Sequence, residues 1–252
     1  MVYKTFLTHT GVYYGGMRDG AAYGLLTEVN ELAAQGVHAG SAEIRIEIPA
    51  DMDKSRMHSI RNHIAKAMEK LETEDFQLEE LHIAGEKCAA LRVPQIVITA
   101  AGETDQKERI ADALLTARAG QDIVYAGWAG LEGMLRIIGE KEAELRERFT
   151  PAFIGQMKAY DSELCGLSKI AVRQETIEVC EHFRLNPYQL ASGGSFLMLT
   201  ENGEALADAL NQKGIQAAVI GQLTDSNDKI IHNGEDMRYI DRPAPDELMK
   251  VF

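Results

Sequence analysis

From Glu43 to Ile48 the chain reads EIRIEI, and Pro49 follows. Successive side chains of a strand point to opposite faces, so Ile44, Ile46 and Ile48 line one face while Glu43, Arg45 and Glu47 line the other. Helical spacing would scatter the three isoleucines around the axis. The segment therefore reads as a half-buried strand, which Pro49 ends. A helix is predicted on either side of it. Ahead lies DGAAYGLLTEVNELAAQG, in which Leu25, Leu26, Val29, Leu32 and Ala33 share one helical face and Gly36 suits the C-terminal stop. Behind it, Asp53 or Ser55 caps a second helix in which Met57, Ile60, Ile64, Met68 and Leu71 keep helical spacing.

The same pattern continues. Glu80–Ala84 and Gln95–Ala101 read as strands, Thr104 caps a predicted helix over Asp105–Ala119, and Asp122–Ala126 is a further strand. It runs into GWAGLEG and a charged helix ending near Phe149. Residues from Pro151 to about Leu167 read as helical, and Thr176, Ile177, Val179, Cys180 and Phe183 mark another short helix before a turn at Asn186-Pro187. Near the C-terminus come a strand at Phe196–Leu199, a helix at Glu204–Lys213 and a strand at Ile215–Leu223. Asn233-Gly234 then signals a two-residue hairpin between Ile230-Ile231 and Met237–Ile240. The whole is an α/β (α+β) arrangement. No linker rich in Gly, Ser or Pro divides it, so two domains would pack directly, meeting between Gly120 and Phe149.

Composition restricts the function classes. Lys plus Arg number 26 and Asp plus Glu 39, a net charge of −13. Such a surface repels phosphate backbones and anionic lipids, which excludes general nucleic-acid and membrane-surface binding. No stretch approaches the about 20 apolar residues that span a bilayer, and the N-terminus has no apolar core with a cleavage site, so a cytoplasmic protein is expected. Cys88, Cys165 and Cys180 are far apart and form neither a disulfide framework nor a zinc cluster. Cys180 lies on an apolar helical face and is expected in the core. His58 and His63 point about 140° apart on one helix and cannot share a metal.

Three glycine-rich segments stand out. Ala191–Phe196 (ASGGSF) enters a strand, and is either a tight turn or a cradle of backbone N–H groups for an anion. Gly127–Gly133 (GWAGLEG) joins a strand to a helix, the place where N–H groups collect at a helix N-terminus. Glu132 within it either holds a metal or substrate amine or simply favours the helix dipole. Gly11–Gly20 (GVYYGGMRDG) is expected to be a mobile terminal arm, with a lid as the alternative. No Ser/His/Asp or Cys/His constellation can be assembled, and no catalytic residue is assigned.

The last eighty residues resemble the C-terminal domain of the aminoimidazole ribonucleotide (AIR) synthase superfamily, in the branch of synthase-related proteins similar to the hydrogenase maturation factor. The residues that carry this are Asn186-Pro187, Ser192-Gly193-Gly194, the AAVIG of Ala217–Gly221 and Asp246-Glu247. More weakly, Gly130–Phe149 resembles the crossover between the family's domains, Ala22–Pro49 its first helix and barrel strand, and Pro94–Gly102 its closing strand. The resemblance implies a two-domain fold: an N-terminal barrel half over 1–120 that dimerises with its twin, shortened at its start, and a C-terminal α/β sandwich over 121–252 with an internal deletion. It also implies ATP and magnesium, with amide or carboxamide oxygen activated by phosphoryl transfer.

Carried over residue by residue, the family site falls on Asn30, Glu31, Glu86, Glu132, Ser192, Gly193 and Gly194, with Glu31 and Glu86 as the metal carboxylates. The pattern departs from the family in several places. The glycine-rich loop and Asp-rich magnesium motif of relatives would precede this sequence. The family's Asn-Asp pair is Asn30-Glu31 here. The Gly-Gly-His-Thr-Glu motif falls on Ala84-Gly85-Glu86-Lys87-Cys88 and has lost its histidine. CGLSKIAVRQETIE, Cys165–Glu178, omits the His-Asp…Glu-Gly-Gly region, and no cysteine follows Cys180 to accept a carbamoyl group. The expectation is a pseudoenzyme: a dimeric scaffold that binds a small molecule or regulator without ATP turnover. The alternatives are an active ATP-dependent enzyme with a rebuilt site, and a protein-interaction module.

Overall fold

The EIRIEI alternation becomes strand β2 (Ser41–Pro49), with Ile44, Ile46 and Ile48 wholly buried and Glu43 and Arg45 exposed. The computed structural model describes residues 5–14, 17–71, 78–104, 117–159, 172–233, 236–240 and 242–252. The chain divides into two units, one of residues 1–112, 132–161 and 252, the other of residues 113–131 and 162–251.

In the first unit β2 is joined by β1 (Thr5–Tyr14), β3 (Glu80–Cys88) and β4 (Gln95–Thr104) in the order β1-β4-β2-β3. β4 runs antiparallel to both its neighbours, and β2 runs parallel to β3. Parallel neighbours need a crossover. Helix α2 (Lys54–Leu71) supplies it, its first turn capped by Asp53, whose carboxylate accepts the Ser55 N–H at 2.6 Å. With α1 (Met17–Ala34) it covers one face of the sheet, burying Leu25, Val29, Leu32, Ile60 and Ile64 against Ile44, Ile46, Ile96 and Ile98. The register sets the other face. Thr10, Thr99, Glu43 and His82 lie in one row across the strands, and Val12, Val97, Arg45 and Ala84 in the next.

Two expectations change here. Gly11–Tyr14, expected in a mobile arm, belong to β1, which pairs with β4 over all ten residues. Its inward residues Leu7, His9, Gly11 and Tyr13 alternate with outward Phe6, Thr8, Thr10 and Val12. Polar and glycine residues in the inward row disguise the alternation. On α1, Ala33 is exposed and Leu26 half-buried, while Ala21 and Glu28 are buried with Leu25 and Leu32. The stripe is rotated by part of a turn.

β3 runs on to Cys88, beyond the predicted Ala84. The predicted Asp105–Ala119 helix falls outside the described residues as far as residue 116, and Cys165 is outside them as well. Helix α3 (Leu131–Arg148) breaks its regular dihedrals at Lys141, and α4 (Pro151–Ala159) follows; the predicted continuation to Leu167 lies outside the described residues. Both helices group with the first unit although they lie beyond residue 120. Glu142 on α3 ties them together, 2.6 Å from Lys158 and 2.5 Å from Arg146.

The second unit is built on β5 (Asp122–Ala126), which lies between β6 (Phe196–Thr200) and β7 (Ala217–Gln222) and is antiparallel to both. β6 and β7 are thus parallel to each other, joined by helix α6 (Gly203–Gln212). Val124, Ala126, Ala207 and Ala217 form the buried centre. Helix α5 (Gln174–Phe183) lies between β5 and β6 in sequence and buries Val179 and Cys180. β8 (Ile230–Asn233) and β9 (Asp236–Tyr239) form the predicted hairpin as a separate two-stranded sheet, its register closing at Asn233 opposite Asp236. Among the described residues no helix is long and apolar enough to cross a membrane.

If β1 is an integral strand, alternate amides of Thr5–Tyr14 exchange with solvent deuterium at rates within the range of β4 amides. Exchange across the whole segment at loop rates would contradict the pairing.

Candidate functional site

The inward row of β1 meets a carboxylate. Glu28 is only 2% exposed, placed by α1 between Leu25 and Leu32 so that it points at the strand. Burying an ionised carboxylate costs several kcal/mol unless partners compensate it. His9 Nδ1 lies 2.5 Å from Glu28 Oε2, and the Tyr13 hydroxyl donates to Oε1. Between them in the row sits Gly11, where a β-carbon would run into the Glu28 carboxylate. Gly24, one turn earlier on α1, brings the helix down on Tyr13 and Ile98, where its own β-carbon would lie 2.8 Å from each side chain. Burial, then the hydrogen bond and charge of Glu28, and then the charge of Glu132 push the Tyr13 hydroxyl far above its ordinary value. It therefore stays a protonated donor at any physiological pH.

The first turns of α3 extend this polar centre. Glu132 and Arg136 are both buried and lie 3.4 Å apart at i, i+4, and the Arg136 guanidinium carbon sits 5.9 Å from the centre of the Tyr13 ring. That is cation–π range. His9, Tyr13, Glu28, Glu132 and Arg136 thus gather at one place in the first unit. Only Glu132 was singled out in the sequence.

In the second unit the two glycine segments turn out to be partners. The Gly130 N–H donates to Ser192 Oγ at 2.8 Å, and Ser195 Oγ donates to the Trp128 carbonyl at 3.2 Å. Gly127 and Gly130 have φ of +107° and +71°. A β-carbon on Gly127 would strike Ser195, and one on Gly130 the Pro187 carbonyl. Ser192 Oγ also donates its proton to the Leu190 carbonyl at 2.7 Å, so its hydroxyl is committed within the loop. The Arg173 guanidinium stacks on the Trp128 indole at 4.1 Å. The C-terminal segment clamps the same loop from below: Asp246 accepts the Ala191 N–H, and Glu247 accepts the Asn186 N–H and the Lys250 ammonium.

No family model and no curated protein matches the chain by sequence. Solved structures do match it. The hydrogenase maturation protein HypE of E. coli aligns with a TM-score of 0.67 and 15% identity, over 98% of this chain and 88% of that one. HypE in complex with ATP gives 0.65 and 15%, over 98% and 87%. Thiamine monophosphate kinase of Aquifex aeolicus gives 0.53 and 15%, over 88% of this chain and 87% of that one. Both proteins belong to the AIR synthase-like superfamily. The chain has the AIR synthase-like fold.

On this AIR synthase-like frame Asn30, Glu31, Glu86 and Glu132 belong to the first unit, and Ser192, Gly193 and Gly194 to the second. Asn30 and Glu31 are on α1, Asn30 half-buried and Glu31 exposed to solvent. Glu86 is exposed on β3, opposite Glu47 in register; its neighbour Gly85 faces Met57 of α2, so Glu86 looks away from the helical layer. Glu31 and Glu86 therefore lie on different sides of the first unit. Glu132 joins the buried centre. Ser192, Gly193 and Gly194 form the loop bound to Gly130. Among the described residues no three His, Cys, Asp or Glu side chains are grouped to hold a metal ion. His9 and Glu28 were not foreseen, yet a signal was there: an acidic residue spaced i+3 and i−4 from two core leucines.

Three outcomes follow from this geometry. Gly11→Ala should cost about 1–3 kcal/mol in denaturant unfolding, because the methyl group displaces Glu28; an unchanged midpoint would refute the close approach. Cys180, 1% exposed and with its thiol pushed up to about 12 by burial and the Glu247 charge, should resist alkylation until the protein unfolds, whereas half-exposed Cys88 reacts in the native state. Glu247 is held below its usual 4.5, first by the Lys250 ammonium and then, against the opposing effect of burial, by the Asn186 N–H. A depressed carboxyl stabilises above its unfolded pKa and loses that contribution as pH falls through the folded one. Melting temperature should therefore drop below about pH 4.5 by less in Glu247→Gln than in the parent.

Proposed function

We propose that the chain is a homodimeric small-molecule-binding scaffold on the AIR synthase-like fold that no longer turns over magnesium–ATP. The observation that carries this is the separation of Glu31 and Glu86, which face different sides of the first unit. A magnesium triphosphate needs several carboxylates converging with a backbone cradle. The Ser192 hydroxyl supports the same reading, since its proton is spent on the Leu190 carbonyl. Trp128, the chain's single tryptophan, packs beside that loop and reports on anything bound there. Titration with ATP and magnesium should leave Trp128 emission and calorimetric heat unchanged. Micromolar binding accompanied by phosphate release would overturn the proposal.

A second reading, an active ATP-dependent phosphoryl-transfer enzyme with a rebuilt site, draws on the solved HypE that holds ATP. It requires Glu31→Ala to abolish turnover while leaving stability within about 1 kcal/mol. HypE has also been solved in complex with HypF, which keeps a protein partner in view for this fold.

Dimerisation is supported by the open face of the four-stranded sheet. Phe6, Val12 and Tyr14 are 62%, 46% and 45% exposed there on the outward row of β1, with Thr8 and Thr10 between Phe6 and the Val12–Tyr14 pair. Arg45 stands between Glu43 and Glu47 on the same face, so a second copy could pair opposite charges around the apolar row. Light scattering should give a dimer for the parent and a monomer for Val12→Glu with unchanged circular dichroism. A monomeric parent at micromolar concentration would contradict it.

A further inference from the structure

The His9–Glu28–Tyr13 cluster has no part in the reading above, and its geometry assigns a proton. Ionised Glu28 can only accept hydrogen bonds. Tyr13 stays protonated and occupies Oε1, so with Glu28 ionised the contact at Oε2 puts a proton on His9 Nδ1. In neutral imidazole the lone pair then resides on Nε2. The His9 side chain is 41% exposed, and no described residue is hydrogen-bonded to Nε2. The carboxylate behind it is 2% exposed, where its field is screened little by water. β1 fixes the backbone at His9 through its ten-residue pairing with β4, the Glu28 contact orients the ring, and Gly11 leaves room for the carboxylate to reach both partners.

A purely mechanical tie between α1 and β1 does not call for this arrangement. A leucine at position 28 would complete the Leu25–Leu32 stripe without burying a charge. Here the fold instead buries a carboxylate, aims it at an accessible imidazole and fixes the tautomer.

We propose that His9 Nε2 is a proton acceptor toward a neutral small molecule bearing a hydroxyl group, with Glu28 and Tyr13 as positioning residues. In the step, the Nε2 lone pair takes the hydroxyl proton. The O–H bond breaks and its electron pair stays on oxygen. The imidazolium so formed is balanced by the Glu28 carboxylate, and the proton returns to product or passes to water.

The test uses the intact chain and is independent of ATP. Nitrogen-15 NMR, read where the imidazole rings are neutral, should show the His9 proton on Nδ1 and the lone pair on Nε2. Diethyl pyrocarbonate, followed by peptide mass spectrometry, should acylate His9 about tenfold faster than exposed His58. Glu28→Gln should remove that advantage and leave His58 unchanged, whereas Tyr13→Phe, which keeps the His9–Glu28 contact, should retain most of it. An Nε2–H tautomer, or equal rates at His9 and His58, would overturn the proposal. Should Glu28→Gln fail to fold by circular dichroism, the tautomer and the rate ratio in the parent protein decide alone. A negative result here leaves the ATP titration untouched, and the reverse holds as well.

Discussion

The first unit depends on one buried carboxylate. Glu28 reaches from α1 to β1 and takes the hydrogen bonds of His9 and Tyr13. Without those donors the charge would be uncompensated at a site 2% exposed, a penalty of several kcal/mol. With them, helix and strand are locked in one register. The close approach at Gly24 and the absent side chain at Gly11 are consequences of the same contact. Tyr13 is kept protonated first by its burial and then by the carboxylate it serves.

The second unit is organised by a different device. There the two glycine loops satisfy each other, Gly130 to Ser192 and Ser195 to Trp128, and the C-terminal Asp246 and Glu247 hold the loop that carries the serines. The N–H groups of Gly130, Ala191 and Ser195, which in isolation suggest part of an anion cradle, are spent on internal bonds. Positive φ at Gly127, Gly130 and Gly194 marks the cost of bringing the turns so close. The two units thus differ in chemical character. One presents a polar centre with a histidine at its surface, the other a closed latch.

Much of the fold is legible in the sequence because its signals are local. The alternation of β2, the helical spacing of α2, the cap at Asp53 and the hairpin around Asn233 all appear in the structure. β1 is hard to see because its inward row follows Leu7 with His9, Gly11 and Tyr13, which meet Glu28 in place of a purely apolar row. Glu28 itself interrupts a leucine stripe, and an acidic residue there is normally read as the edge of the polar face. The pairing of Gly130 with Ser192, 62 residues apart, cannot be seen in either segment alone. Likewise, residues matched to a family motif one at a time carry no information on which side of the sheet each one faces, as Glu31 and Glu86 show.

Glu28 and Tyr13 act as a coupled pair across the α1–β1 contact. A double-mutant cycle with Glu28→Gln and Tyr13→Phe, read by denaturant unfolding, measures that coupling directly. It should amount to at least about 1 kcal/mol. Effects that add to within about 0.3 kcal/mol would show that the two side chains are neighbours without being partners.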